Sequence, residues 1–175
     1  MNRRTSLREF QEQLSRRIAQ AGSVAREAVR LCAVAGTEHW MLELPDAGEV
    51  VSVPELTPVP RTRFWFRGIA NVRGALFGVV DLAAFLGQAP SVLRQESRLL
   101  LVGQRFGTNV ALLVDGVLGL RKLGEFAREV GAPEPASAAR AIWVGEAYRD
   151  TDAARWRQLE VAALLADEEF LRVGV

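Results

Sequence analysis

The sequence predicts a mainly β protein assembled from small barrels. Short apolar runs recur along the chain, separated by turns rich in Gly, Pro and Asp. Two of them, residues 99–102 and 110–114, are almost continuously apolar, the pattern of strands buried on both faces. Sustained helical periodicity is confined to the N-terminal stretch. No strand–helix–strand alternation of the kind that builds a parallel sheet is visible.

Residues 1–27 form a helical extension. Leu7, Phe10, Leu14, Ile18 and Ala21 recur at spacings of three and four, and Ser6 with Glu9 supplies a Ser-x-x-Glu capping box. Gly22 and Ser23 end that helix, and a second short one follows. Its plain role is to cover the main domain; its sharper role is to dock a partner.

The remaining domain spans residues 28–175. Residues 29–35 and 39–44 read as paired strands about the turn at Gly36, Thr37 and Glu38. After a turn at 45–48, residues 49–53 form another strand. Pro54, Pro58 and Pro60 then enforce an extended path to residue 63. Residues 64–87 are the organising stretch: apolar runs at 69–73 and 75–80 flank Gly74 as a hairpin. Asp81 fits a helix N-cap, residues 82–86 a short helix, and Gly87 the position just past its end. Asn71 and Arg73, two apart, would share one strand face. A buried arginine is costly unless paired, so that face is expected to be open or in an interface, with a merely surface-exposed Arg73 as the simpler reading.

A polar connector leads to strands at 99–102 and 110–114. Asp115-Gly116 ends the second with a turn or bulge, and 117–120 continue as a strand. Residues 121–130 are mixed, with Phe126 packed, and 131–137 form a loop. Strands at 141–145 and 155–159 flank a turn at 148–153, and a helix over 161–171 closes the chain. Residues 81–86 and 160–165 echo each other: an acid, an aliphatic residue, two alanines, a large apolar residue and leucine. This fits two similar β units, each closed by a short helix.

Composition narrows function by exclusion. With 22 basic and 21 acidic residues, net charge is +1, so no global field favours nucleic acid or an anionic membrane. The single cysteine, Cys32, excludes an internal disulfide and suits a reducing compartment; its plain reading is a small buried residue. No apolar run approaches the ~20 residues of a membrane span, and charges interrupt the N-terminus where a signal peptide needs an apolar core. A cytoplasmic location is expected. His39, the lone histidine, defines no zinc site. Neither a phosphate loop nor a nucleophile elbow is present. Asp81 and Asp115 each end an apolar strand; they offer acid–base chemistry only if they meet in one open pocket, and both have structural work as cap and turn. Phe64, Trp65 and Phe66 beside Arg61, Arg63 and Arg67 offer either a stacking platform for single-stranded nucleic acid or a core plug. No catalytic set, metal site or cofactor site is expected, which leaves a binding module.

One resemblance bears on that module. Gly68-Ile69-Ala70-Asn71-Val72-Arg73-Gly74, followed by Val79-Val80-Asp81-Leu82, resembles the signature of CheW-like domains, G-[VI]-x-N-[VL]-R-G and an apolar strand ending in D-L. Leu113-Val114-Asp115-Gly116-Val117 resembles the family's V-D-x-V motif, and Gly48-Glu49-Val50-Val51 is similar to the strand carrying its exposed acid. The similarity runs from about residue 28 to 170. The N-terminal helix, Trp65 and residues 85–87 are similar to the PilI-type adaptors of type IV pilus twitching-motility systems. The resemblance implies two intertwined SH3-like five-stranded barrels. It implies a non-enzymatic scaffold joining methyl-accepting chemoreceptors to the regulatory domain of a CheA-type histidine kinase. It places Asn71, Arg73 and Gly74 at a receptor-facing groove between the barrels, with Glu49 meeting receptor or pairing with Arg73. Gly78 departs from the pattern, since many members carry proline there.

Overall fold

The computed structural model describes residues 28–129 and 142–175. The N-terminal helical extension, its capping box and the loop at 131–137 lie outside the described residues. The described chain is mainly β, as predicted. β1 (Val29–Ala35) and β2 (Glu38–Glu43) form the first hairpin, followed by β3 (Ala47–Ser52) and the short β4 (Leu56–Thr57). β5 (Phe66–Val72) and β6 (Ala75–Asp81) form the central hairpin and lead into α1 (Leu82–Phe85). Then come β7 (Arg98–Val102), β8 (Val110–Val114), β9 (Gly116–Lys122), β10 (Ala127–Arg128), β11 (Val144–Arg149), β12 (Arg155–Leu159), α2 (Val161–Ala166) and α3 (Glu168–Leu171).

These strands make two six-stranded sheets, ordered β10-β11-β12-β2-β1-β9 and β3-β7-β8-β6-β5-β4. The described chain enters the first sheet, spends β3 to β8 in the second, and returns, so the two are interlocked. The resemblance implied two intertwined five-stranded barrels; the described strands form two interlocked six-stranded ladders, neither closed on itself. In the second sheet, β3 and the β5–β6 hairpin meet through side chains rather than through a backbone ladder.

Side-chain parity explains the continuous apolar runs. Leu31, Ala33, Ala35, Trp40 and Leu42 of the first sheet pack against Val80, Leu100, Val102, Leu112 and Val114 of the second, forming the core between the sheets. The alternate residues point the other way. Val79, Leu99, Leu101, Ala111 and Leu113 fill the hollow of the second sheet. Cys32, Met41, Phe126, Tyr148 and Trp156 fill that of the first. β7 and β8 therefore divide two cores, and neither face can be polar.

The crossing back to the first sheet is tied by Asp115. Its carboxylate accepts a hydrogen bond from Gly36 N–H at 2.6 Å, fastening the β1–β2 turn, and its own N–H donates to Val34 O at 2.9 Å. The internal echo has a structural counterpart: β6 lies parallel to β8 and feeds α1, while β12 lies parallel to β2 and feeds α2. The caps differ. Asp81 accepts from Ala84 N–H, whereas Glu160 caps nothing and accepts from Gln158 Nε2 at 2.8 Å. Gly78 N–H donates to Asn109 O at 2.9 Å, a bond that proline could not make.

Two expectations near the C-terminus are corrected. The strand expected at 141–145 and the turn expected from 148 give way to β11, which carries Tyr148 into the core, while Trp143 is buried just before it. The helix expected over 161–171 breaks at Asp167, whose carboxylate accepts from Glu169 and Phe170 N–H at 2.8 and 3.0 Å and starts a new helix. The break brings Phe170 onto Phe85 and Trp65, at ring separations of 5.2 and 6.3 Å.

Candidate functional site

The central hairpin turns on two residues. Val72 pairs with Ala75, leaving Arg73 and Gly74 at the tip with φ of 53° and 87°. Both positive angles match the tight hairpin turn whose twist suits its strands. Glycine adopts this conformation cheaply; arginine does so at a cost. The expectation that Asn71 and Arg73 share a strand face is therefore corrected. Arg73 has left the ladder, and Asn71 serves the turn: its Oδ1 accepts from Gly74 N–H at 2.8 Å.

The turn aims Arg73 at β3. Its Nη2 lies 2.6 Å from Glu49 Oε1, and its Nη1 donates to Glu49 Oε2 at 2.9 Å, a two-pronged ion pair. Glu49 pairs in register with Leu101, which lines the hollow of the second sheet, so the ion pair sits at that hollow's mouth. The side chains are 75% and 40% exposed. Exposed pairs contribute under ~1 kcal/mol to stability, so this one shapes a surface more than it holds the fold.

Exposed apolar side chains stand on the edges of both sheets, and sequence reasoning did not single them out. Val50, beside Glu49, is opposite Leu100 of the inter-sheet core yet is itself 38% exposed, because β3 is an edge strand. Leu118 and Leu120 on edge strand β9 are 58% and 60% exposed, although Leu31, the cross-strand partner of Leu120, is buried. Leu44 stands in the turn carrying β2 into β3 and is also exposed. The sequence shows a strand at 117–120 but not its edge position, which is not written in a strand's own residues.

A second polar cluster, beneath the hairpin, is structural. Asp81 is fully buried, and its carboxylate accepts from Ala84 N–H (3.2 Å), Ser91 N–H (2.8 Å), Ser91 Oγ (3.0 Å) and Arg67 Nη1 (3.1 Å). It cannot also serve as an open acid, and Asp115 is committed to the β1–β2 turn. Trp65 is buried and Arg67 is committed to Asp81, so the core plug holds for Trp65, whereas Phe64 is exposed. His39 packs its ring 4.8 Å from Trp156. Burial pushes the Cys32 thiol up to about 11. Among the described residues no group of three His, Cys, Asp or Glu side chains could hold a metal, and no helix is long and apolar enough to cross a membrane.

Known proteins share the fold and parts of the sequence. The model of the CheW-like domain matches residues 30–169. The chain is 33% identical to protein PilI of Pseudomonas aeruginosa over 114 residues, 63% of this chain and 64% of that protein. It is 36% identical to chemotaxis protein CheW of Thermotoga maritima over 76 residues, 43% of this chain and 49% of that one. It is 35% identical to protein FrzA of Myxococcus xanthus over 75 residues, 43% of this chain and 46% of that one. The matches thus span less than two thirds of these relatives' lengths. Among solved structures, scaffolding protein TtCheW of Thermoanaerobacter tengcongensis superposes with a TM-score of 0.62 at 23% identity, over 76% of this chain and 88% of that one, a likeness of fold. The chain belongs to the CheW-like domain family.

Proposed function

We propose that this protein is a cytoplasmic, non-catalytic adaptor that couples methyl-accepting chemoreceptors to a CheA-type histidine kinase. The observation that carries the reading is the family match over residues 30–169, which includes the hairpin tip presenting Arg73. The similarity to PilI favours a chemosensory pathway governing type IV pili and twitching motility. Such an adaptor needs surfaces rather than a pocket of reactive groups. Arg73 and Glu49 form a polar rim, Val50 beside Glu49 offers apolar contact, and Leu44, Leu118 and Leu120 add exposed apolar surface elsewhere on the domain. Asn71 and Gly74 hold the rim in place through the turn.

The mechanism is scaffolding. Holding receptor and kinase together raises their effective concentration, and a receptor-induced shift reaches the kinase through the adaptor. Each contact is transient, burying less than ~1,200 Å². An incoming carboxylate can exchange with Glu49 for the Arg73 fork at little cost to the fold.

Capture of a receptor cytoplasmic tip and of the kinase regulatory domain tests the reading. Arg73→Asn is the informative variant, because asparagine suits the left-handed turn while losing the guanidinium. It is expected to weaken receptor capture with kinase capture and thermal stability retained. Wild-type protein that captures neither partner at micromolar concentration overturns the proposal.

A further inference from the structure

We infer that the exposed leucine edge of β9 is a docking surface for the chain's own residues 7–21. Leu118 and Leu120 stand two apart on an edge strand, each more than half exposed, and no described element covers them. Adjacent exposed leucines of this size mark a contact surface more often than a bare one.

The place where the N-terminal segment joins the fold selects the occupant. Ala28 O accepts from Leu123 N–H at 2.7 Å, and Val29 pairs with Lys122. Residues 1–27 are thus tethered beside β9, two positions along the strand from Leu120. The sequence of that segment carries the complementary face: Leu7, Phe10, Leu14, Ile18 and Ala21, spaced as one apolar stripe. A helix over these fifteen residues is about 22 Å long, and the six residues 22–27 reach up to about 20 Å extended. The stripe can therefore fold back along β9, with Gly22 and Ser23 at the reversal.

The short link sets a high effective concentration, so a weak intrinsic contact suffices. A partner that uses the same leucines, as the proposed receptor surface would, must displace the segment. Its apparent affinity falls in proportion to the fraction of time the edge is free, about tenfold if free a tenth of the time. This consequence rests on the adaptor reading; the docking itself does not.

A nitroxide on Ser15→Cys in the full-length protein tests the docking. The fully buried Cys32 is not expected to react under native conditions. The methyl signals of Leu118 and Leu120 are expected to broaden in dilute protein and to sharpen when Leu14→Glu and Ile18→Glu are added. Unbroadened methyls overturn the inference. So does broadening in a mixture of isotope-labelled, nitroxide-free protein with nitroxide-bearing, unlabelled protein, which would assign the occupant to a second copy. Receptor tip is expected to relieve the broadening. Docking that persists in a saturating tip supports the inference and counts against the receptor surface proposed above.

Discussion

Replacing Asp81 is expected to be among the costliest single changes in the domain, although the residue lies outside any partner surface. The carboxylate is wholly buried, and its two oxygens are divided between two kinds of donor. Oδ1 takes Ala84 N–H and Ser91 Oγ; Oδ2 takes Ser91 N–H and Arg67 Nη1. Asp81→Ala removes an N-cap, about 1 kcal/mol, and leaves buried donors and a guanidinium without their acceptor. Breaking a buried ion pair from one side costs about 3–5 kcal/mol. Arg67 is a quarter exposed and recovers some hydration, so the low end, about 3 kcal/mol, is expected for the whole change, since the contributions overlap. For a chain of this size that lowers Tm by about 6–12 °C. Asp81→Asn sharpens the test. It preserves volume and the Oδ1 contacts but points an amide NH2 at two further donors, so it should regain no more than about 1 kcal/mol over alanine. Urea denaturation followed by tryptophan fluorescence reads both variants. If both lie within about 1 kcal/mol of wild type, or asparagine restores most of the loss, the buried-acceptor argument is wrong.

Two further outcomes are open to measurement. Gly74→Ala meets no atom within 4 Å and should cost only the strain of its left-handed backbone, about 1 kcal/mol, whereas a Cβ at Gly68 would lie 2.2 Å from Thr57 O and force β4 off β5. Urea midpoints should rank Gly68→Ala well below Gly74→Ala, and equal values would refute the clash. Asp150 accepts from Trp156 Nε1, from the backbone N–H of Ala154 and Asp152, and from Arg121, and these hold its carboxyl below the usual carboxylate range. Its contribution is complete above the unfolded carboxylate value of about 4 and is lost as pH falls through the lower folded one. Asp150→Asn should therefore flatten the acid limb of a Tm-against-pH profile; an unchanged limb would count against this assignment.

Local chemistry was legible in the sequence where it was self-contained. Asp81 caps α1, and Gly87 takes a left-handed φ of 80° at its end, because each needs only its near neighbours. The doubly buried strands were legible because burial on both faces removes polar residues from both parities. The break at Asp167 had a signal, an aspartate followed by two glutamates and an aromatic residue, that the apolar periodicity around it obscured. Long-range consequences were not legible in the residues alone. The Arg73–Glu49 pair came only through the resemblance, since the two lie 24 positions apart and their pairing depends on an unusual backbone angle at Arg73. The exposure of Leu118 and Leu120 was not legible because nothing in a strand's own residues says that one side will lack a neighbour.

The parity of β7 and β8 has a consequence for how such a protein diversifies. Each of their side chains on the dividing wall already serves one of two interiors, so drift there is penalised whatever the partner. Freedom to vary is left to exposed apolar rim positions such as Leu44, Val50 and Leu118. After gene duplication, a few substitutions at such places can change what one copy binds while the frame is inherited intact. Swapping these rim residues between paralogues is the corresponding route to exchanging their contacts.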